Sequence, residues 1–276
     1  MHRIVGVALI LALLSGCGVS RLDDSLGRAV MQNDDLATVE AGLPSYLLMI
    51  DGLIVNWPER GALLITGADL YGAYAGVFVE DQERAARLNE KALGYALRGA
   101  CAYDDDYCSL RAIDVPAFEA LLGEADKADV PVLFSLGSAW AGYIQSHTDD
   151  WNAVAELSRV RLLMERVVAL DEGYHYGQAH MYLGVLNSIL PASLGGRPEQ
   201  ARAHFERAVA LSEGRNLLAR VLFAEHYARL VFDRKLHDAQ LRKVLDAEPD
   251  VPELTLQNTY AKQQARQLLD SADEYF

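Results

Sequence analysis

The sequence predicts an all-α protein: degenerate tetratricopeptide-like helical-hairpin repeats forming a compact helical array with a C-terminal capping helix. Three observations predict it. From residue 43 onward, apolar side chains recur at helical spacing. No run of β-branched residues alternates over the length of a strand. Mostly apolar helical runs alternate with amphipathic ones, as expected where each hairpin covers its neighbour. The prolines, Pro44, Pro58, Pro116, Pro131, Pro191, Pro198, Pro249 and Pro252, fall between periodic runs.

The chain opens with His2 and Arg3, followed by an apolar run over residues 4–14 that is too short to span a bilayer and suits a signal-peptide core. It ends in Leu14-Ser15-Gly16-Cys17, which resembles the bacterial lipoprotein cleavage box. Residues 1–16 are therefore expected to be removed and Cys17 lipidated, anchoring the protein to a membrane; an ordinary secretory signal with an incidental cysteine is the alternative. Gly18 after Cys17, where an Asp would favour inner-membrane retention, favours the outer membrane. Residues 17–42 are polar and mixed, and are expected to form the lipidated N-terminus and a tether. The helical domain is expected over 43–276.

Within that domain, residues 63–79 are apolar on most sides. Asp81 then caps the amphipathic QERAARLNEKALGYALRG, which Gly99 is expected to end. The alternation recurs at 131–147 with 152–170, at 178–190 with 199–211, and at 216–232 with 238–246. Aligning Met164, Phe205 and Leu241 gives spacings of 41 and 36 residues, against about 34 in strict tetratricopeptide repeats. Leu136-Gly137 and Leu183-Gly184 match the Leu-Gly of the first helix of that motif. Ala201, Phe205 and Ala208 match the small-large-small rhythm of the second. Residues 254–276 would cap the stack.

Composition narrows the function. The 276 residues carry 25 Lys and Arg against 39 acidic residues, a net charge of −14. That balance opposes nucleic-acid binding and electrostatic attachment to anionic lipid. No GxSxG, GxGxxG, GKS/GKT or HExxH pattern occurs, so neither catalytic residue nor cofactor nor metal site is expected. Asp104-Asp105-Asp106 lacks the glycine and glutamate of a calcium loop, and Asp149-Asp150 suits a helix start. With Cys17 acylated, Cys101 and Cys108 remain, and an oxidising periplasm would bridge them. The competing metal site is poor, since two cysteines without a nearby His make an incomplete zinc set. The paired glycines of PASLGGRPEQARAHFERA (191–208) lack the preceding strand and following Lys-Ser of a phosphate loop. Pro198 suits a first helical turn and Glu199 would repel an anion, so 191–197 is expected to be an enlarged turn.

The aromatic residues of the first helices have two readings. Tyr71, Tyr74 and Phe78, Trp140 and Tyr143, and Tyr182 with Asn187 are either inter-repeat packing or the wall of a ligand cleft with a few polar groups.

Three segments together carry a family resemblance: GALLITGADLYGAYAGVFVED (61–81), LGGRPE (194–199) with ARAHFERAVALSEG (201–214), and LTLQNTYAKQQARQLLDSADEYF (254–276). In order and spacing the chain from residue 43 to 276 resembles the T component associated with TRAP (tripartite ATP-independent periplasmic) transporters, TatT. The resemblance implies a non-catalytic periplasmic lipoprotein of tetratricopeptide-like fold. It implies a homotrimer that docks the periplasmic substrate-binding protein, the P component, and a cleft in each protomer that passes a small hydrophobic or organic-acid ligand. The rival expectation is a helical-repeat lipoprotein scaffold for outer-membrane or pilus assembly.

Overall fold

Residues 27–194 and 196–276 are described by the computed structural model. The signal-peptide residues, Cys17 with its lipidation, and Gly195 lie outside the described residues. Among those described there are thirteen α-helices and no strand.

The first helix, α1 (Leu36–Asn56), begins seven residues before the expected domain start. Asp35 caps it, its carboxylate accepting the Ala37 and Thr38 amides at 3.1 Å. Pro44, expected between helices, lies inside α1. The inward face is Val39, Leu43, Leu47, Ile50 and Ile54, at the three-and-four spacing of an amphipathic helix. Leu48 and Val55, on the opposite side, are 72% and 79% exposed.

Next come α2 (Gly61–Phe78) and α3 (Gln82–Tyr103), which pack along most of their lengths. Asp81 caps α3 as expected, accepting the Arg84 amide at 2.7 Å. Gly99 does not end α3, which continues to Tyr103. It is instead a close-packing position: a Cβ there would sit 2.8 Å from Ile65 Cδ1 of α2. After a short 3-10 turn (Asp105–Ser109) comes α4 (Val115–Glu124), a helix that the sequence reading does not assign.

The middle of the array is α5 (Val130–Gln145), α6 (Trp151–Ala155) and α7 (Leu157–Asp171). The helix expected over 152–170 breaks at Glu156. That carboxylate accepts the Trp140 indole N–H at 2.8 Å and Arg111 through Nε at 2.9 Å, so its turn is held by a partner on each side. Then follow α8 (Gln178–Asn187) and α9 (Pro198–Leu211). The Leu-Gly positions explain their pairing. A Cβ on Gly137 would meet Met164 Cε at 2.7 Å, and one on Gly184 would meet the Phe205 ring at 2.7 Å. The same glycine-to-large-residue contact thus recurs between α5 and α7 and between α8 and α9.

The turn before α9 is tight. Gly196 donates to the Pro191 carbonyl at 3.0 Å, and a Cβ on it would overlap the Leu190 carbonyl oxygen at 1.7 Å. Only glycine fits there.

The last third contains α10 (Leu217–Leu222), α11 (Arg234–Asp246), α12 (Thr255–Asp270) and α13 (Ala272–Tyr275). The helix expected over 216–232 widens after α10 into a π-turn at Phe223–Ala228. Buried Asn258 pins α12 in place, accepting the Leu217 amide at 2.9 Å and donating to the Arg215 and Pro249 carbonyls. The capping helix also touches α1, and Leu256 packs on the main core. The two ends of the array therefore meet.

Candidate functional site

Where the ends meet there is a cleft of about 530 Å³. Its walls include Arg28 and Gln32 before α1, His175 and Tyr176 between α7 and α8, Gln178 at the start of α8, and Pro252–Leu254 before α12. Three of these, His175, Tyr176 and Glu253, hold positive φ of 44°, 60° and 65°. With Gly177 at 75°, residues 175–177 form a left-handed turn of three consecutive residues. For a side chain with a Cβ this conformation costs about 1–2 kcal/mol per residue, and such strain gathers at functional segments. The cleft is where this chain concentrates it.

The same turn carries an aromatic cluster inward. Phe134 of α5 packs against Tyr174, His175 and Tyr182, with ring centroids 5.4, 5.6 and 5.9 Å apart. Tyr182 of α8 shares a 2.6 Å hydrogen bond with Ser138 of α5. One helical turn earlier on α5, Ser135 donates to Asp69 of α2 at 2.7 Å. Asp69 and Tyr182 are thus attached to one face of α5 about 5 Å apart along its axis.

Asp69 is the one charge in the eighteen-residue α2. Its side chain keeps access to solvent, yet loss of surrounding water pushes its carboxyl up to about 6, against a lowering by Ser135. Burial, and then the charge on Asp69, raise the Tyr174 and Tyr182 hydroxyls. Burial lowers His175, which therefore stays neutral near pH 7.

The aromatic residues proposed from sequence are dispersed. Tyr71 is buried, donating to Asp51 at 2.7 Å and accepting from Lys91 at 3.0 Å, while Tyr95 also donates to Asp51. Burial opposes the Asp51 charge, but the bonds from Lys91, Tyr71 and Tyr95 outweigh it and lower its pKa. This network ties α1 to α2 and α3. Tyr74 is buried beside Phe78 and accepts from Arg84 at 3.2 Å. Trp140 is fully buried against Phe118. Tyr143 stacks on His147 with Arg111 over its ring. Buried Asn187 donates to Leu183 and accepts from Arg161. None of them lines the cleft, and Tyr182 packs against Phe134. Cys101 and Cys108 are paired, with Cα atoms 4.2 Å apart.

Asp69, Phe134, Ser135 and Tyr174 are not singled out by the sequence reading, and His175 is read there only as half of a rejected metal pair with His180, five residues on. Asp69 had a usable signal, as a single acid in an otherwise apolar helix. The others acquire meaning from partners more than thirty residues away.

A second polar cluster lies on the other side of α8. His180 shares its Nδ1 with His204 at 2.8 Å and its Nε2 with Glu172 at 3.0 Å, and Arg207 pairs with Glu172 through both carboxylate oxygens. Arg207 and then His180 hold Glu172 down at about 2, and burial lowers His204 to about 4. It latches α7, α8 and α9 together. Among the described residues no group of His, Cys, Asp and Glu is arranged to hold a metal.

A profile of the TRAP transporter T-component family matches residues 32–276. The chain belongs to the TRAP transporter T-component family. The T component is also similar to an uncharacterized protein of Treponema pallidum (strain Nichols). The two are 24% identical over 275 residues, covering 92% of this chain and 84% of that one. The family assigns this T component to a transport system of the periplasm and membrane, as an accessory component.

Proposed function

We propose that this T component is a non-catalytic, lipid-anchored periplasmic protein. It docks the substrate-binding P component of its TRAP system and passes a small hydrophobic or organic-acid ligand through a cleft in each protomer. The observation that supports ligand passage is the cleft between the N-terminal segment, the 175–177 turn and residues 252–254, strained on two of its walls. Lipidation at Cys17, with outer-membrane placement, follows from the cleavage box. The oxidising compartment keeps Cys101 and Cys108 bridged. Self-association as a homotrimer is supported by the apolar ridge of α1, where Leu48, Met49 and Val55 are exposed with Trp57 just beyond.

Capture from a periplasmic extract on immobilised T component tests the docking. Recovery of a solute-binding protein as the main partner is the expected outcome. Recovery of membrane-assembly proteins in its place would favour the scaffold reading.

A further inference from the structure

We propose that the cleft binds a zwitterionic amino acid with an apolar side chain, its ammonium group on Glu253 and Gln178 and its carboxylate on Arg28 and Gln32. This rests on the ligand-cleft reading and narrows the ligand to an organic acid that also carries an amine.

The polarity of the cleft follows from hydrogen-bond direction. Gln178, on the cleft wall, begins a chain of side-chain amides that runs into the core. It donates through Nε2 to Gln257 Oε1 at 3.4 Å, and Gln257 donates through Nε2 to Asn216 Oδ1 at 2.7 Å. Fully buried Asn216 ends the chain, with its Nδ2 3.5 Å from Met181 Sδ. A thioether has no proton to give, so the nitrogen of Asn216 is the end that faces it. That orientation fixes the amides before it: each turns its nitrogen inward and its oxygen toward the cleft. Gln178 Oε1 is the outermost of these oxygens, and among the described residues nothing donates to it. Glu253 adds a full negative charge to the cleft walls, at a φ of 65°. Among the described residues it forms no ion pair. A side chain kept in the left-handed region is held there by its surroundings, as groups at binding sites are.

The segment before α1 has the opposite polarity. Arg28 brings a guanidinium to the cleft, a group that only donates. Gln32 has its Oε1 3.5 Å from Thr255 Oγ1, which leaves its Nε2 as a donor. The cleft therefore offers acceptors with a negative charge from Gln178 and Glu253, and donors with a positive charge from Arg28 and Gln32. A ligand carrying both an ammonium and a carboxylate satisfies the two sets. A plain organic anion would meet Glu253 as a like charge, and a plain amine would meet Arg28 as one. The rest of the ligand finds apolar surface on Met31, Tyr176 and Pro252. Tyr176 donates its hydroxyl to the Pro252 carbonyl at 3.3 Å, so its ring is what remains to pack against a side chain.

Phenylalanine and its two half-analogues separate the possibilities: 3-phenylpropanoate lacks the amine, and 2-phenylethylamine lacks the carboxylate. Each is titrated calorimetrically into the intact protein at pH 7.5 and low salt. Phenylalanine is expected to bind at least about tenfold more tightly than either, the scale of one charge-assisted hydrogen bond. Glu253→Gln is expected to bring phenylalanine down to the level of 3-phenylpropanoate, and Arg28→Gln to the level of the amine. The wild-type comparison stands even if a variant fails to fold. If either half-analogue binds as tightly as phenylalanine, the zwitterion assignment is wrong while the ligand cleft survives. A preference for phenylalanine that persists undiminished in both variants also overturns it. The dye 8-anilinonaphthalene-1-sulfonate, an apolar organic acid, tells the failure of this proposal from that of the cleft. Dye binding that is lost in Tyr176→Asp, with all three probes silent, brings down the amino-acid proposal alone. If dye and probes are all silent, the ligand cleft falls with it.

Discussion

At the scale of single residues, Asp69 and Tyr71 sit two positions apart on α2 and have opposite roles. Tyr71 is saturated by Asp51 and Lys91, so its polar tip is used to hold helices together. Asp69 is under-partnered, and its carboxyl is raised to about 6 by loss of surrounding water. For an acid, a folded pKa above the unfolded one means the ionised native state is penalised at high pH. That penalty is complete above about 6 and disappears as pH falls toward the unfolded value of 3.8. Asp69→Asn should therefore stabilise the fold at pH 7.5 by about 1 kcal/mol, once solvent screening of an accessible group is allowed for. The gain should vanish by about pH 4. Thermal melts of both proteins at the two pH values check this; a variant that melts lower at pH 7.5 would make Asp69 a structural residue. Sequence could mark Asp69 as the lone acid of α2, but its hydrogen bond to Ser135 depends on α5. Conversely, Trp140 and Tyr71 looked eligible for a cleft because their acid partners, Glu156 and Asp51, are not adjacent in the chain.

At the scale of helices, most of the architecture was legible because helical periodicity and capping are local. Asp81 caps α3 and Pro198 opens α9 where the chain says they should. The failures have a common cause, a tertiary contact overriding a local signal. Gly99 carries the signature of a helix end yet is kept inside α3 by the approach of Ile65. Glu156 breaks an otherwise continuous amphipathic run because Trp140 and Arg111 claim its carboxylate. The left-handed turn at 175–177 has no local signature in His175 or Tyr176, so the cleft wall was illegible. The recurrent glycine contact offers a direct test. In Gly184→Ala the new methyl would meet Phe205 Cε1 at 2.7 Å, with Cζ and Cδ1 within 2.9 Å. Phe205 is itself fully buried and stacked on Phe223 at 5.5 Å, so the ring has little room to withdraw. Overpacking of this kind costs about 1–3 kcal/mol. Urea unfolding should show the midpoint falling with the slope unchanged. An unaltered midpoint would mean that α8 and α9 separate freely at this crossing.

At the scale of the whole molecule, the contrast between the two faces of α1 is the clearest sign of assembly. One face, from Val39 to Ile54, is spent on the core. The other carries Leu48 and Val55, 72% and 79% exposed, with half-exposed Trp57 beyond, and no charge between Glu40 and Asp51. On a chain of net charge −14, a ridge whose one charge, Asp51, is neutralised by Lys91 is a place where copies can approach with little mutual repulsion. Two substitutions on it, Leu48→Asp and Val55→Asp, would add a carboxylate to each protomer at the ridge. Both positions point away from the core, so the fold should be retained with a thermal midpoint within a few degrees of wild type. The assembly should not be: size-exclusion chromatography with light scattering is expected to give about three protomer masses for the wild type and one for the double variant. A wild type of monomer mass would remove the trimer. A double variant that remains trimeric would move the interface off α1 and leave its ridge to the P component, which the capture experiment with the same variant would then detect as lost binding.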